Sequence, residues 1–93
     1  MKTIWKFKLN EGDRQVISMP KNAQILSIQS QYGEPCMWVL VDVKDDVELE
    51  DRIFETFGTG HEIHYDMGID RTHIGTYQVA GGSFIGHVFE RIS

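Results

Sequence analysis

Apolar and polar side chains alternate with period two through most of this chain, the spacing of strands that cover one face and wet the other. Over residues 3–9, Trp5, Phe7 and Leu9 fall on one side, with Ile4, Lys6 and Lys8 on the other. Asn10 to Asp13 has turn chemistry, and residues 14–19 return with Gln15, Ile17 and Met19 sharing a side. The two segments are therefore expected to form a hairpin. Pro20 to Ala23 interrupts the pattern, since proline cannot donate to a central ladder. Gln24 to Tyr32 alternates again, with Leu26 and Ile28 on one face, and Gly33-Glu34-Pro35 reads as a turn. Cys36 to Val43 is apolar on both faces, which predicts a central strand covered on both sides.

Lys44 to Asp51 reads as a solvated connection. Its carboxylates lack the glycine and terminal glutamate of a helix-loop-helix calcium loop. Residues 52–57 are ambiguous: Leu49, Ile53 and Phe57 have helical spacing, but the segment is short and rich in β-formers, so a strand is expected. Residues 65–71 carry too much glycine and aspartate for regular structure. In 73–79, Ile74, Thr76 and Gln78 oppose Gly75, Tyr77 and Val79. Ala80-Gly81-Gly82-Ser83 signals a hairpin loop. In 84–92, Phe84, Gly86, Val88 and Glu90 oppose Ile85, His87, Phe89 and Arg91. The reading is a single all-β domain over 1–93, about seven short antiparallel strands in a small sandwich or partly open barrel.

Composition narrows the function classes. Hydrophobic residues make up 41% and charged residues 25% of 93, which is globular rather than disordered. Fourteen acidic against nine basic side chains give a net charge of −5, a poor match to duplex nucleic acid. A single cysteine, Cys36, excludes an intrachain disulfide and fits a reducing compartment. It is expected as a small core residue. The longest apolar run, 36–41, is too short to span a membrane, and the opening alternation lacks a signal peptide's continuous apolar stretch. The expected location is the cytoplasm, with no membrane partner.

The chemistry concentrates at 57–64, Phe-Gly-Thr-Gly-His-Glu-Ile-His. Successive amides around glycines form concave nests for anions, and a threonine hydroxyl adds a donor. The motif lacks the lysine of a P-loop and the third glycine of a dinucleotide fingerprint. The bland alternative is a strand-ending turn whose glycines satisfy backbone geometry alone. The candidate ligand-binding set is Gly58, Thr59, Gly60, His61, Tyr65, Arg71, Tyr77 and His87. The glycine amides and Thr59 would receive the anion, His61 and Arg71 would supply positive charge, and Tyr65 or Tyr77 would stack on a base. His87, within an apolar strand, reads either as a hydrogen-bonded structural histidine or as a ligand contact. His61, His64 and His87 with Asp66 also permit a metal-dependent enzyme. Against it, residues three apart in a strand face opposite sides and no cysteine pair supports zinc. No metal and no cofactor are expected. Trp5 and Trp38 are assigned to core packing by their alternation.

Several short motifs recur together: Lys-x-Ile-x-Lys at 2–6, Ile-x-Met-Pro-Lys at 17–21, Ile-Leu-Ser-Ile-Gln at 25–29 and Pro-Cys-Met-Trp at 35–38. Gly-Thr-Gly-His at 58–61, Ile-Gly-Thr at 74–76 and His-Val-Phe-Glu at 87–90 complete the set. Over nearly its whole length the chain resembles an uncharacterised family of small phage- and bacteria-associated proteins, a domain of unknown function. The resemblance implies a source rather than an activity and carries over no catalytic residues. By analogy of size and compactness, the chain is similar to small phage β proteins that sequester nucleotide signals of bacterial immunity without cleaving them. The expectation is a non-enzymatic, homo-oligomeric protein that sequesters a small anionic or nucleotide-like ligand. The alternative is a structural or protein-interaction module, such as a virion component or host-protein inhibitor.

Overall fold

The computed structural model describes residues 1–10, 12–63 and 69–92. Among these residues seven strands form and no α-helix does: β1 (Lys2–Lys8), β2 (Arg14–Pro20), β3 (Gln24–Gln31), β4 (Glu34–Asp42), β5 (Leu49–Gly58), β6 (Arg71–Val79) and β7 (Phe84–Arg91). They build two antiparallel sheets, one in the order β1-β4-β3 and one in the order β2-β5-β7-β6. The architecture is an open sandwich rather than a closed barrel.

The period-two pattern sets the inner faces. Met37, Val39 and Val41 of β4 look onto Phe54 of β5 and Val88 of β7, all at most 1% exposed, with Leu9, Met19, Ile28 and Tyr77 completing the core. Full burial of each such aliphatic or aromatic side chain contributes roughly 1.5–3 kcal/mol. The sheets also meet along β3 and β6: Gly75 lies against Ile28, and the Ser30 hydroxyl donates to the Gln78 carbonyl.

Several expectations change. β1 and β2 do not pair with each other: β1 pairs with β4 and β2 with β5, in different sheets. An arch wins because Leu9 is buried, with its amide bonded to the Pro35 carbonyl at 2.9 Å, while the Asn10 amide is taken by Gln15 Oε1 at 3.0 Å. The arch puts β1 in one sheet and β2 in the other, so that Phe7 of β1 and Met19 of β2 both reach the same core. The β3–β4 turn is Tyr32-Gly33, both at positive φ (52° and 77°), so Glu34 and Pro35 already belong to β4. Leu26 and Ile28 do not share a face: a bulge between Ile25 and Ser27 turns Leu26 outward to 45% exposure while Ile28 is buried.

β4 is central to its sheet, but its outer face, Trp38 and Leu40, is only half-buried. Trp5 is 37% exposed at the rim, edge-on to Phe7, so neither tryptophan is a core residue. The acidic connection ends early: Leu49–Asp51 open β5, which is a strand as expected. The β6–β7 hairpin forms as read, its tip a 3-10 turn at Ala80–Gly82 with Ala80, Gly81 and Gly82 at positive φ. Cys36 is buried and free.

Candidate functional site

Register determines which residues meet. Gly58, the last residue of β5, pairs with Gly86 near the start of β7. The 58–61 turn therefore sits beside the β6–β7 hairpin tip, at one end of the sandwich. A depression of about 240 Å³ lies between them, lined by Gly58, Thr59, His61, Gly82, Ser83, Phe84 and Ile85.

The turn closes through the His61 amide, which donates to the Gly58 carbonyl at 3.0 Å. Gly60 has φ 84° as the third residue of this turn, the position that demands glycine in a type II turn. Gly58 serves a different need. A Cβ there would come within 2.6 Å of His61 Cε1, so the missing side chain lets the imidazole fold against the backbone. Among the described residues, the Thr59 and Gly60 amides have no hydrogen-bond partner in the backbone.

The Thr59 hydroxyl lies 2.7 Å from His87 Nε2, and His87 Nδ1 lies 3.2 Å from Thr76 Oγ1. Thr76 Oγ1 is in turn 3.2 Å from His73 Nε2. This chain of side chains crosses the outer face of the second sheet, because Phe57, His87 and Thr76 are cross-strand neighbours on β5, β7 and β6. His87 is thus a half-buried, hydrogen-bonded strand histidine that also braces Thr59 at the corner.

Of the sequence-derived set, Gly58, Thr59, Gly60, His61 and His87 come together. Arg71 does not join them. It pairs across from Arg91, five positions along β7 from Gly86, which is about 16 Å of strand. There its Nε donates to Glu55 at 2.9 Å and its guanidinium lies over the Phe57 ring at 5.8 Å. Tyr77 is 4% exposed on the inner face, its ring filling the space above Gly86, and offers no open stacking surface at the turn. Tyr65, like His64 and Asp66, lies outside the described residues. Gly82, Ser83 and Phe84 line the corner too and are not in the sequence-derived ligand set. Their signal was the pair of glycines, 58 and 86, that the register sets opposite each other.

The electrostatics of the two ends differ. Depressions at the far end are lined by Glu50, Asp51 and Glu90 in one case and by Asp42, Asp46 and Glu48 in the other. The larger, about 540 Å³, contains three arginines, but Arg52 is committed to Glu90 and to the Ala23 carbonyl. Among the described residues no carboxylate lines the 58–61 corner. Among the described residues no three His, Cys, Asp or Glu side chains stand together as a metal site, and no helix is long and apolar enough to cross a membrane.

No curated protein and no solved structure matches the chain. One family model does, over residues 1–93, and the chain accordingly belongs to the DUF7352 family, a domain of unknown function.

Proposed function

We propose that this protein is a non-enzymatic binding protein that holds a small anionic or nucleotide-like ligand at the 58–61 corner and sequesters it unchanged. The observation that carries the reading is the conjunction at that corner among the described residues: two backbone amides without backbone partners, an imidazole against Gly58, a braced threonine hydroxyl, and no carboxylate in the lining. Amides around a turn act as fixed partial positive charges. The phage-linked, sponge-like role and the cytoplasmic setting extend this proposal. So does a homo-oligomeric state, which has support in β1 and β2: among the described residues each pairs on one side only and stands at a sheet edge.

Thermal unfolding against inorganic phosphate and a panel of linear and cyclic nucleotides tests the reading. The melting temperature should rise with ligand concentration, and saturation at a hundred times Kd corresponds to about 2.7 kcal/mol. His61→Ala should reduce the rise. A flat response across the panel refutes the proposal.

One observation favours a second reading, a protein-interaction module. The outer face of the β1-β4-β3 sheet carries Ile4 at 56% and Leu26 at 45% exposure beside half-buried Trp38 and Leu40. A binding partner that protects these residues from hydrogen exchange, with no nucleotide response, would support it.

A further inference from the structure

The corner is not the only depression at its end of the sandwich. A second, of about 310 Å³, opens between the sheets and is lined by Pro35, Tyr77, Val79 and Phe84. Topology puts them together: Pro35 is the second residue of β4, Val79 ends β6 and Phe84 begins β7, beside the end of β5 that forms the corner. Phe84 lines both depressions. Its ring, 38% exposed, stands 6.2 Å from the Tyr77 ring at 53°. The two spaces share this one aromatic wall and differ sharply in character. One is edged by amides, a hydroxyl and an imidazole; the other by two rings, a proline and a valine.

Resting on the binding reading above, we infer that the ligand is a phosphate monoester of an aromatic group, with the phosphate at the 58–61 turn and the flat ring in the inter-sheet pocket beside Phe84. Size supports this pairing. Small-molecule sites usually hold about 300–1,000 Å³, so the corner, about 240 Å³, suits a single phosphate group and little more. With the neighbouring pocket the space reaches that range. Among the described residues neither lining includes a lysine or arginine, which argues against a ligand bearing several phosphates, since each added charge would lack such a partner there. The aromatic lining supplies offset or edge-on ring contacts to an aryl guest, while the Tyr77 ring, fixed above Gly86, gives the pocket a rigid floor.

Calorimetric titration of the full chain with inorganic phosphate, phenyl phosphate and phenol tests the inference. Phenyl phosphate should bind about tenfold more tightly than phosphate, or better, as expected for burying one ring. Phe84→Ala should weaken phenyl phosphate more than phosphate and so bring the two affinities together. His61→Ala should weaken phosphate and phenyl phosphate in parallel and leave any phenol binding unchanged. Phenyl phosphate binding no tighter than phosphate in the wild type overturns the inference but spares the anion corner. Absence of binding by both anions removes the corner reading and the inference with it. Adenosine 5′-monophosphate run beside ribose 5-phosphate then shows whether a nucleobase serves as the ring: a gain comparable to that of phenyl phosphate supports the inference for nucleotides, and no gain restricts it to smaller aryl groups.

Discussion

The strongest test of the fold lies at the end of the sandwich opposite the corner. Arg52 of β5 and Glu90 of β7 face inward, with side chains 18% and 10% exposed. The guanidinium grips the carboxylate with two bonds, Nε to Oε2 at 2.5 Å and Nη2 to Oε1 at 2.7 Å, and Nη1 donates to the Ala23 carbonyl at 2.6 Å. This bond to Glu90 raises the arginine's pKa further, with burial opposing. A raised folded value means the contribution is complete below the guanidinium's ordinary range and is lost only in strong alkali, so neutral pH changes should leave it intact on the arginine side. Arg52→Met strands a buried carboxylate and should cost about 3–5 kcal/mol. For a chain of this length total stability is about 5–14 kcal/mol, so the melting temperature should fall by at least about 12 °C. Glu90→Leu should cost a similar amount by stranding the guanidinium. The double variant Arg52→Met/Glu90→Leu fills the site with apolar groups and should recover to within about 2 kcal/mol of wild type. Urea unfolding of all four proteins measures the coupling. A double variant as unstable as the sum of the singles refutes the reasoning. Singles costing under about 1 kcal/mol would refute it too, because the pair would then behave as a solvent-screened surface contact.

Three further substitutions probe the close approaches and the turns. Gly86→Ala should cost about 1–3 kcal/mol by overpacking, because the new Cβ meets the buried Tyr77 ring at 2.6 Å; chemical denaturation checks it. Gly58→Ala meets only the exposed end of His61, so stability should change by about 0.5 kcal/mol or less while the His61 ring resonances shift and the phosphate response falls. Tyr32→Asn should raise stability by about 0.5–1 kcal/mol, since the ring is 96% exposed and the residue sits at φ 52° in a turn that favours Asn-Gly; an unchanged melting temperature would show that the tyrosine ring contributes at the tip.

Much of this architecture was legible because burial on one face imposes a period of two, and that period survives without knowledge of neighbours. Gln15, Ile17 and Met19, or Val88 and Glu90, sort to the inner face on pattern alone. Pairing was not legible in the same way. A five-residue connection fits a hairpin or an arch equally well, and the decision rests on Leu9, whose amide finds Pro35 far along the chain. Leu26 was misassigned for a related reason: a one-residue bulge inverts every later face and leaves no mark in the alternation. The corner follows the same division. The glycines and His61 announce themselves locally, whereas the Thr59–His87 contact and the Phe84 wall exist only through the Gly58–Gly86 register. Arg71 lies near the loop in sequence, but its register beside Arg91 takes it away.

A net charge of −5 opposes an anion site at long range, yet the range of the field decides otherwise. At 0.15 M salt the Debye length is about 8 Å, and at 0.01 M about 30 Å. Strands such as β7, with eight residues, span about 26 Å. In physiological salt the carboxylates lining the far-end depressions, Glu50, Asp51 and Glu90 with Asp42, Asp46 and Glu48, are therefore screened from the corner, and the groups next to it govern: the turn amides and His61, with Glu62 the adjoining acid in sequence. At low salt the whole molecule's negative field reaches an approaching phosphate and opposes it. Affinity for phosphate should consequently rise as an inert salt is added from 0.01 to 0.15 M. A site built from a lysine or arginine patch shows the reverse, losing affinity as its attraction is screened. Titrations at the two ionic strengths separate the cases, and a steep loss of affinity with salt would mean that the anion binds at basic side chains elsewhere on the molecule.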